Sequence, residues 1–235
     1  MERAVKNFSS YVTAFDPSFP SRIQGATQVE IDELEAVSGH VLPTFYREFL
    51  LSMGHKDDGC LSQQDIEADV PALVSYYREA VATGEDEVPR DSIVVAVGFS
   101  IEKLCLEARD GGGLWNCDLA TKHKLWAESL ENWLFQWAYL KYRTRAFPYF
   151  ACYSAATRIR FLEPARAEAH RRGFKEQWFS DRVTLCTETS DAVLIVQQMA
   201  HDPPAIAIAG RDASGGESFI RHLVQTTGVA LQRQL

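Results

Sequence analysis

No stretch of the 235-residue chain approaches the roughly 18–20 consecutive apolar residues needed to span a bilayer. The opening stretch, Met1-Glu-Arg-Ala-Val-Lys-Asn-Phe8 and on to Asp16, has neither an apolar centre nor a small-residue cleavage site, so it does not read as a secretory signal. Cysteine is scarce and unpaired. The five cysteines, at 60, 105, 117, 152 and 186, include no C-x-x-C pair, and Cys105 and Cys186 sit in apolar runs where a free thiol behaves as a small hydrophobe. A disulfide framework and a zinc site are therefore not expected, and a cytoplasmic setting with no membrane contact is.

Catalytic signatures are missing as well. The six histidines, at 40, 55, 123, 170, 201 and 222, show no H-E-x-x-H or other ligand spacing, and there is no G-x-S-x-G elbow. Gly210-Arg-Asp-Ala-Ser-Gly-Gly-Glu-Ser218 follows a strand pattern and opens a helix, where phosphates often bind. It lacks the Lys-Ser/Thr ending of a phosphate loop, and Glu217 would repel the anion, so it reads as a turn. Asp212, Ser214 and His222 are the right residue types for a triad, but a triad is defined by geometry. No catalytic residue, cofactor or metal is expected, which directs attention to binding.

What the chain does have is charge, unevenly placed. The net charge is −8, yet residues 27–140 carry 21 acidic against 8 basic side chains, a net of −13, and residues 141–235 carry 9 against 13, a net of +4. An acidic first part argues against nucleic acid as a partner and permits steering toward a basic protein. The segment 141–175 is basic, with nine Lys/Arg against two Glu, but has no interleaved aromatics of the kind that stack on bases.

Local signals outline the elements. Thr27-Gln-Val-Glu30 is a capping box, followed by Ile31, Leu34 and Val37 at helical spacing. Gly39 is suited to close that helix in the left-handed conformation, and Pro43 to start the next. Leu42, between them, should be buried. Phe45, Phe49, Leu50 and Met53 make the second helix's apolar stripe, and Glu33, Glu35 and Glu48 its solvent side and its neighbour's. Residues 62–83 have another apolar face interrupted by Pro71, which predicts a kink or two consecutive helices, and Glu85-Asp86-Glu87 reads as a solvated loop.

Strands are expected over 93–97, 102–109 and 114–117, turned by Asp110-Gly-Gly-Gly113, with a further one at 124–126. Residues 129–142 read as a helix apolar on two faces. Beyond Pro148 the pattern suggests strand 183–187, helix 191–201, strand 205–209 and helix 217–224, with the two strands parallel. Leu42, Pro43, Phe49, Trp126, Trp133 and Trp137 are the expected core residues.

The stretch Ile31–Gly54, "IDELEAVSGHVLPTFYREFLLSMG", resembles the start of the SMI1/KNR4 (SUKH) superfamily through Glu35, Gly39, Leu42, Pro43, Tyr46, Phe49 and Leu50. Downstream, "IVVAVGFSIEKLCLEARDGGGLWNCD" is similar to that family's strand and hairpin core, and Ala127, Ser129, Leu130, Trp133 and Leu134 to its closing helix. Ser52-Met53-Gly54-His55, where the family often has Asn-Gly-Gly, and the long 62–91 insertion depart from the pattern. The resemblance covers about residues 22–141 and does not reach 149–235.

It implies an α+β fold, an antiparallel sheet packed with helices over residues 1–148, to which residues 149–235 would add a small βαβα appendage. It also implies a binding protein. Many bacterial members are immunity proteins that block a cognate toxin, often a nuclease or deaminase; eukaryotic members look like regulatory scaffolds, which is the alternative here. The expected partner is a basic toxin, and the expected contacts, chosen on charge, are Asp57, Asp58, Asp65, Glu67, Asp69, Glu85, Asp86 and Glu87.

Overall fold

The computed structural model describes residues 3–62, 65–98, 103–155, 160–200, 202–227 and 230–234. They divide into two units, Met1–Leu134 and Phe135–Leu235, with the division inside a helix; the boundary expected at 148 lies just before a strand of the second unit.

The first unit opens with α1 (Arg3–Thr13), a short β1 (Ile23–Gln24), α2 (Gln28–Ser38) and α3 (Thr44–Met53). Helix α2 begins at the capping box: Thr27 accepts from the Glu30 amide, and Glu30 Oε2 accepts from the Thr27 amide at 2.7 Å. It ends at Gly39, left-handed at φ +71°, where any side chain would be strained. Pro43 sits one position ahead of α3 and offers no side-chain cap. The missing acceptor comes from Asp110, 66 residues away, whose carboxylate takes the Thr44 amide at 2.6 Å. Glu35 braces the corner from inside. Its Oε1 accepts the Leu42 amide at 2.8 Å and its Oε2 pairs with Arg47. So Glu35, expected on the solvent side, ties two helices together. Leu42 and Pro43 are buried as expected; on α3 the buried stripe is Tyr46, Phe49, Leu50 and Met53, with Tyr46 in place of the half-buried Phe45.

Strand β2 (Lys56–Asp57) pairs with β1. Then follow β3 (Ile66–Glu67), α4 (Val70–Tyr76), β4 (Ser92–Gly98), β5 (Lys103–Glu107), β6 (Leu114–Asp118) and β7 (Thr121–Ala127). Pro71 lies in the first turn of α4, where its missing N–H costs nothing, so it starts a helix rather than kinking one. A π-helical turn, Tyr77–Val81, continues α4, and the Val94 amide donates to Tyr77 Oη at 2.8 Å, fixing that turn to β4. Strands β3 to β7 form one antiparallel meander in sequence order. Glu102, the first residue of the expected second strand, and Gln63 and Gln64 of the expected 62–83 helix lie outside the described residues. Helix α5 (Leu130–Ala138) closes the run.

The second unit holds β8 (Tyr149–Ala155), α6 (Leu162–Arg171), β9 (Lys175–Glu176), β10 (Thr184–Glu188), β11 (Ala192–Gln197), β12 (Ala205–Gly210), α7 (Ala213–Thr227) and β13 (Leu231–Gln234). Its sheet, in the order β13-β8-β12-β11-β10-β9, is antiparallel throughout. This corrects the βαβα expectation. The segment read as a helix over 191–201 is strand β11 as far as Gln197, paired on both edges, and His201 lies outside the described residues. A hairpin therefore joins β10 to β11, and no parallel crossover exists there. Helices α6 and α7 pack on one face, with Phe161, Leu162, Ala165, Phe219, Ile220 and Leu223 meeting Leu185, Leu194, Val196, Ile206 and Ile208. Trp126, Trp133 and Trp137, expected in the core, are half-buried. Trp126 and Trp133 pack ring to ring at 5.0 Å, and Trp133 Nε1 donates to the Cys60 carbonyl at 2.9 Å, so the indole edges need polar surroundings.

Candidate interaction surface

The eight acidic residues expected to meet a partner separate into two groups. Four are engaged by the fold. Asp57 is 5% exposed and gathers the turn that follows it. Its Oδ1 accepts the Gly59 amide at 2.9 Å and the Ser62 hydroxyl, and its Oδ2 accepts the amides of Leu61 and Ser62 at 2.6 and 2.8 Å. Asp58 takes a left-handed backbone, φ +55°, and accepts both Nε and Nη2 of Arg22 at 2.7 and 3.1 Å. The same guanidinium reaches Asp16, and that hydrogen bond holds the Asp16 carboxyl down at about 2. Asp69 caps α4, accepting from the Ala72 amide at 3.0 Å.

Asp86 is the fourth. It pairs with Lys103 Nζ at 2.5 Å and accepts the Tyr76 hydroxyl and the Glu87 amide. Lys103, only 2% exposed, also donates to the Glu87 carbonyl at 2.6 Å. Burial pushes the Asp86 carboxyl up, but the Lys103 and Tyr76 donors outweigh it and hold the group below its ordinary value. The loop expected to be a solvated rim is thus anchored on a buried ammonium. The register sets Lys103 opposite Cys117, and both are buried. The remaining four, Asp65, Glu67, Glu85 and Glu87, are exposed.

Two clefts open among these elements. One, of about 370 Å³, is lined by Arg22, His55, Asp58, Ser62, Glu67 and Asp69. The other, of about 420 Å³, lies between α2 and α4. Glu30 lines the second, and its carboxylate lies 3.2 Å from His55 of the first.

Asp212, Ser214 and His222 are not arranged as a triad. Ser214 Oγ donates to Asp212 Oδ1 at 2.6 Å and the Gly215 amide to the same oxygen at 3.2 Å, so Asp212 and Ser214 form the cap of α7. The Ser214 hydrogen bond, with the Gly215 amide, lowers the Asp212 carboxyl. His222 lies two turns on, about 12 Å along the axis. It faces Glu168 Oε2 at 3.3 Å instead. Glu168, 5% exposed, also takes Arg171 through both oxygens at 2.8 and 2.7 Å and Arg172 at 2.5 Å, and the Arg171 hydrogen bond pulls its carboxyl down. This hub joins α6 to α7.

Among the described residues, no three His, Cys, Asp or Glu side chains are grouped to hold a metal ion, and no helix is long and apolar enough to cross a membrane. No protein-family model matches the chain, and no curated protein matches it either.

Proposed function

We propose that this chain is an immunity protein of the SMI1/KNR4 (SUKH) type, which binds a basic bacterial toxin in the cytoplasm and neutralises it by stoichiometric contact, without catalysis. One observation carries the reading. The run from the capping box at Thr27 through the Gly39–Pro43 corner, the meander β4–β7 and α5 is the order of elements on which the resemblance rests.

The charge supports the same reading. Residues 1–134 carry 23 acidic against 11 basic side chains, a net of −12. Such a surface raises the encounter rate with a basic toxin, and its carboxylates are able to occupy a groove made for phosphate. The test is to express the protein encoded beside this chain, alone and together with it. Toxicity alone, relief by co-expression, and an equimolar complex through purification are expected. A harmless neighbour, or a toxic one that forms no complex, overturns the proposal.

A further inference from the structure

The groove between α2 and α4 has a construction that its lining explains only in part. Its floor is apolar: Val70 and Val74 lie one turn apart and Pro71 beside them. Its rim carries three carboxylates, Glu30, Glu33 and Glu79, against one cation, Arg78. Val29 stands outside the lining, next to Glu30 in sequence. It is 76% exposed and one turn before Glu33 on the same helix face. The π-helical turn, closed by the Ala82 amide on the Tyr77 carbonyl, carries Arg78 and Glu79 at the groove wall. Such turns are frequent where a helix has been adapted to a task.

Arg78 is the telling residue. It reaches across the groove to Glu33, and the two side chains are 59% and 40% exposed. A bridge this exposed is weak and screened by salt. The chain's own guanidinium occupies the place an incoming cation would take. We infer that this groove receives an apolar segment of the toxin bearing arginine or lysine, whose cation replaces Arg78 on Glu33 while its apolar side chains cover Pro71 and Val74. The identity of the partner rests on the function proposed above; the chemistry of the groove does not. Charge complementarity selects the occupant: an acidic segment would add like charge to a rim of three carboxylates and one cation, and a neutral one would gain nothing from their excess.

The experiment titrates the full-length chain with a short synthetic peptide alternating leucine with arginine and follows backbone amide resonances. Shifts confined to 28–38 and 70–82 are expected. Glu33→Lys with Glu79→Lys should weaken the peptide by about tenfold or more. Arg78→Ala should tighten it by about two- to fivefold, because the internal competitor is gone. All three substitutions are at the surface, and an unchanged circular dichroism spectrum confirms folding. Shifts centred elsewhere, indifference to charge reversal, or no tightening in Arg78→Ala overturn the inference. The same variants tested on the co-expressed toxin separate the two claims. A complex that survives Glu33→Lys with Glu79→Lys overturns the groove and leaves the immunity reading intact. A toxin that the wild type fails to bind, while the peptide still occupies the groove, overturns the immunity reading and supports the groove.

Discussion

The Lys103–Asp86 pair makes an asymmetric prediction. Lys103 is 2% exposed on its side chain and Asp86 26%. Replacing Asp86 with Ala strands an ammonium with the Glu87 carbonyl as its described acceptor, and also takes the acceptor from Tyr76 Oη. Breaking a buried pair from one side costs about 3–5 kcal/mol; water reaches Asp86, so about 3 kcal/mol is expected. Lys103→Met removes the buried charge itself. Asp86 then keeps the Tyr76 hydroxyl, the Glu87 amide and water, and a methionine fills the same channel, so about 0–1 kcal/mol is expected. The double variant should recover most of what Asp86→Ala loses. Urea denaturation of the full chain at neutral pH, followed by tryptophan fluorescence and by hydrogen exchange of the β5 amides, measures all four. The pH dependence has a definite sign. Because the folded Asp86 carboxyl is lowered from 3.8, its stabilisation is whole above that value and is lost as pH falls through the lower folded value. The wild-type advantage over Asp86→Ala should therefore be flat from neutral pH down to about 4 and shrink below it. Lys103→Met costing as much as Asp86→Ala, or a double variant no better than Asp86→Ala, refutes the argument.

Other substitutions test the remaining supports. Asp57→Ala leaves the Gly59, Leu61 and Ser62 amides without their acceptor, and an unfolding midpoint lower by the equivalent of about 3 kcal/mol is expected, with Glu67→Lys within about 0.5 kcal/mol of wild type in the same assay. Thr27→Ala removes the cap of α2 and should cost about 1 kcal/mol by denaturant unfolding. Gly25→Ala puts a Cβ 1.9 Å from the Leu51 carbonyl oxygen, so it should lower the melting temperature more than Gly39→Ala, which meets only backbone strain. Glu168→Ala leaves Arg171, Arg172 and His222 facing one another, and faster exchange of α6 and α7 amides than of α2 and α3 is expected.

The corner at 39–43 was readable because its signals are local. A capping box and a left-handed glycine act through neighbouring backbone and do here what their residue types require, while the proline stands one position ahead of α3 and not in its first turn. The acceptor for the Thr44 amide was not readable, since Asp110 is brought in by the hairpin and not by sequence proximity. Strand β11 shows a different limit. Ala-Val-Leu-Ile-Val is buried on both faces, and a short apolar run of that kind has the same periodicity as a buried helix. The available clue was the turn before it: Thr189-Ser-Asp191 is turn chemistry, and the Thr189 amide does bond the Ala192 carbonyl at 2.8 Å. The antiparallel order of β10, β11 and β12 was missed through that one segment, where a hairpin stands in place of a helix, and β8, β9 and β13 of the same sheet were not expected at all.

The acidic surface was legible as a total and not residue by residue, and side-chain length accounts for much of the division. Asp57 and Asp69 turned inward to backbone amides within a few residues, and Asp58 and Asp86 to cations brought alongside by other segments. The aspartate carboxylate is short enough to meet nearby amides in turns and caps without distorting them. Three of the four expected contact residues that stayed exposed are glutamates. Glu35 and Glu30 are the instructive exceptions: each is used by the fold, and each meets an amide at the helix–corner junctions where the longer chain is needed to span seven and three positions. Counting negative charge thus overstates what a partner meets, and Asp57 is the clearest case, fully committed to its own turn. What a partner meets is the carboxylate held away from turns and caps, and on the groove wall that description fits Glu33 and Glu79 better than the four charge-chosen aspartates the fold engages.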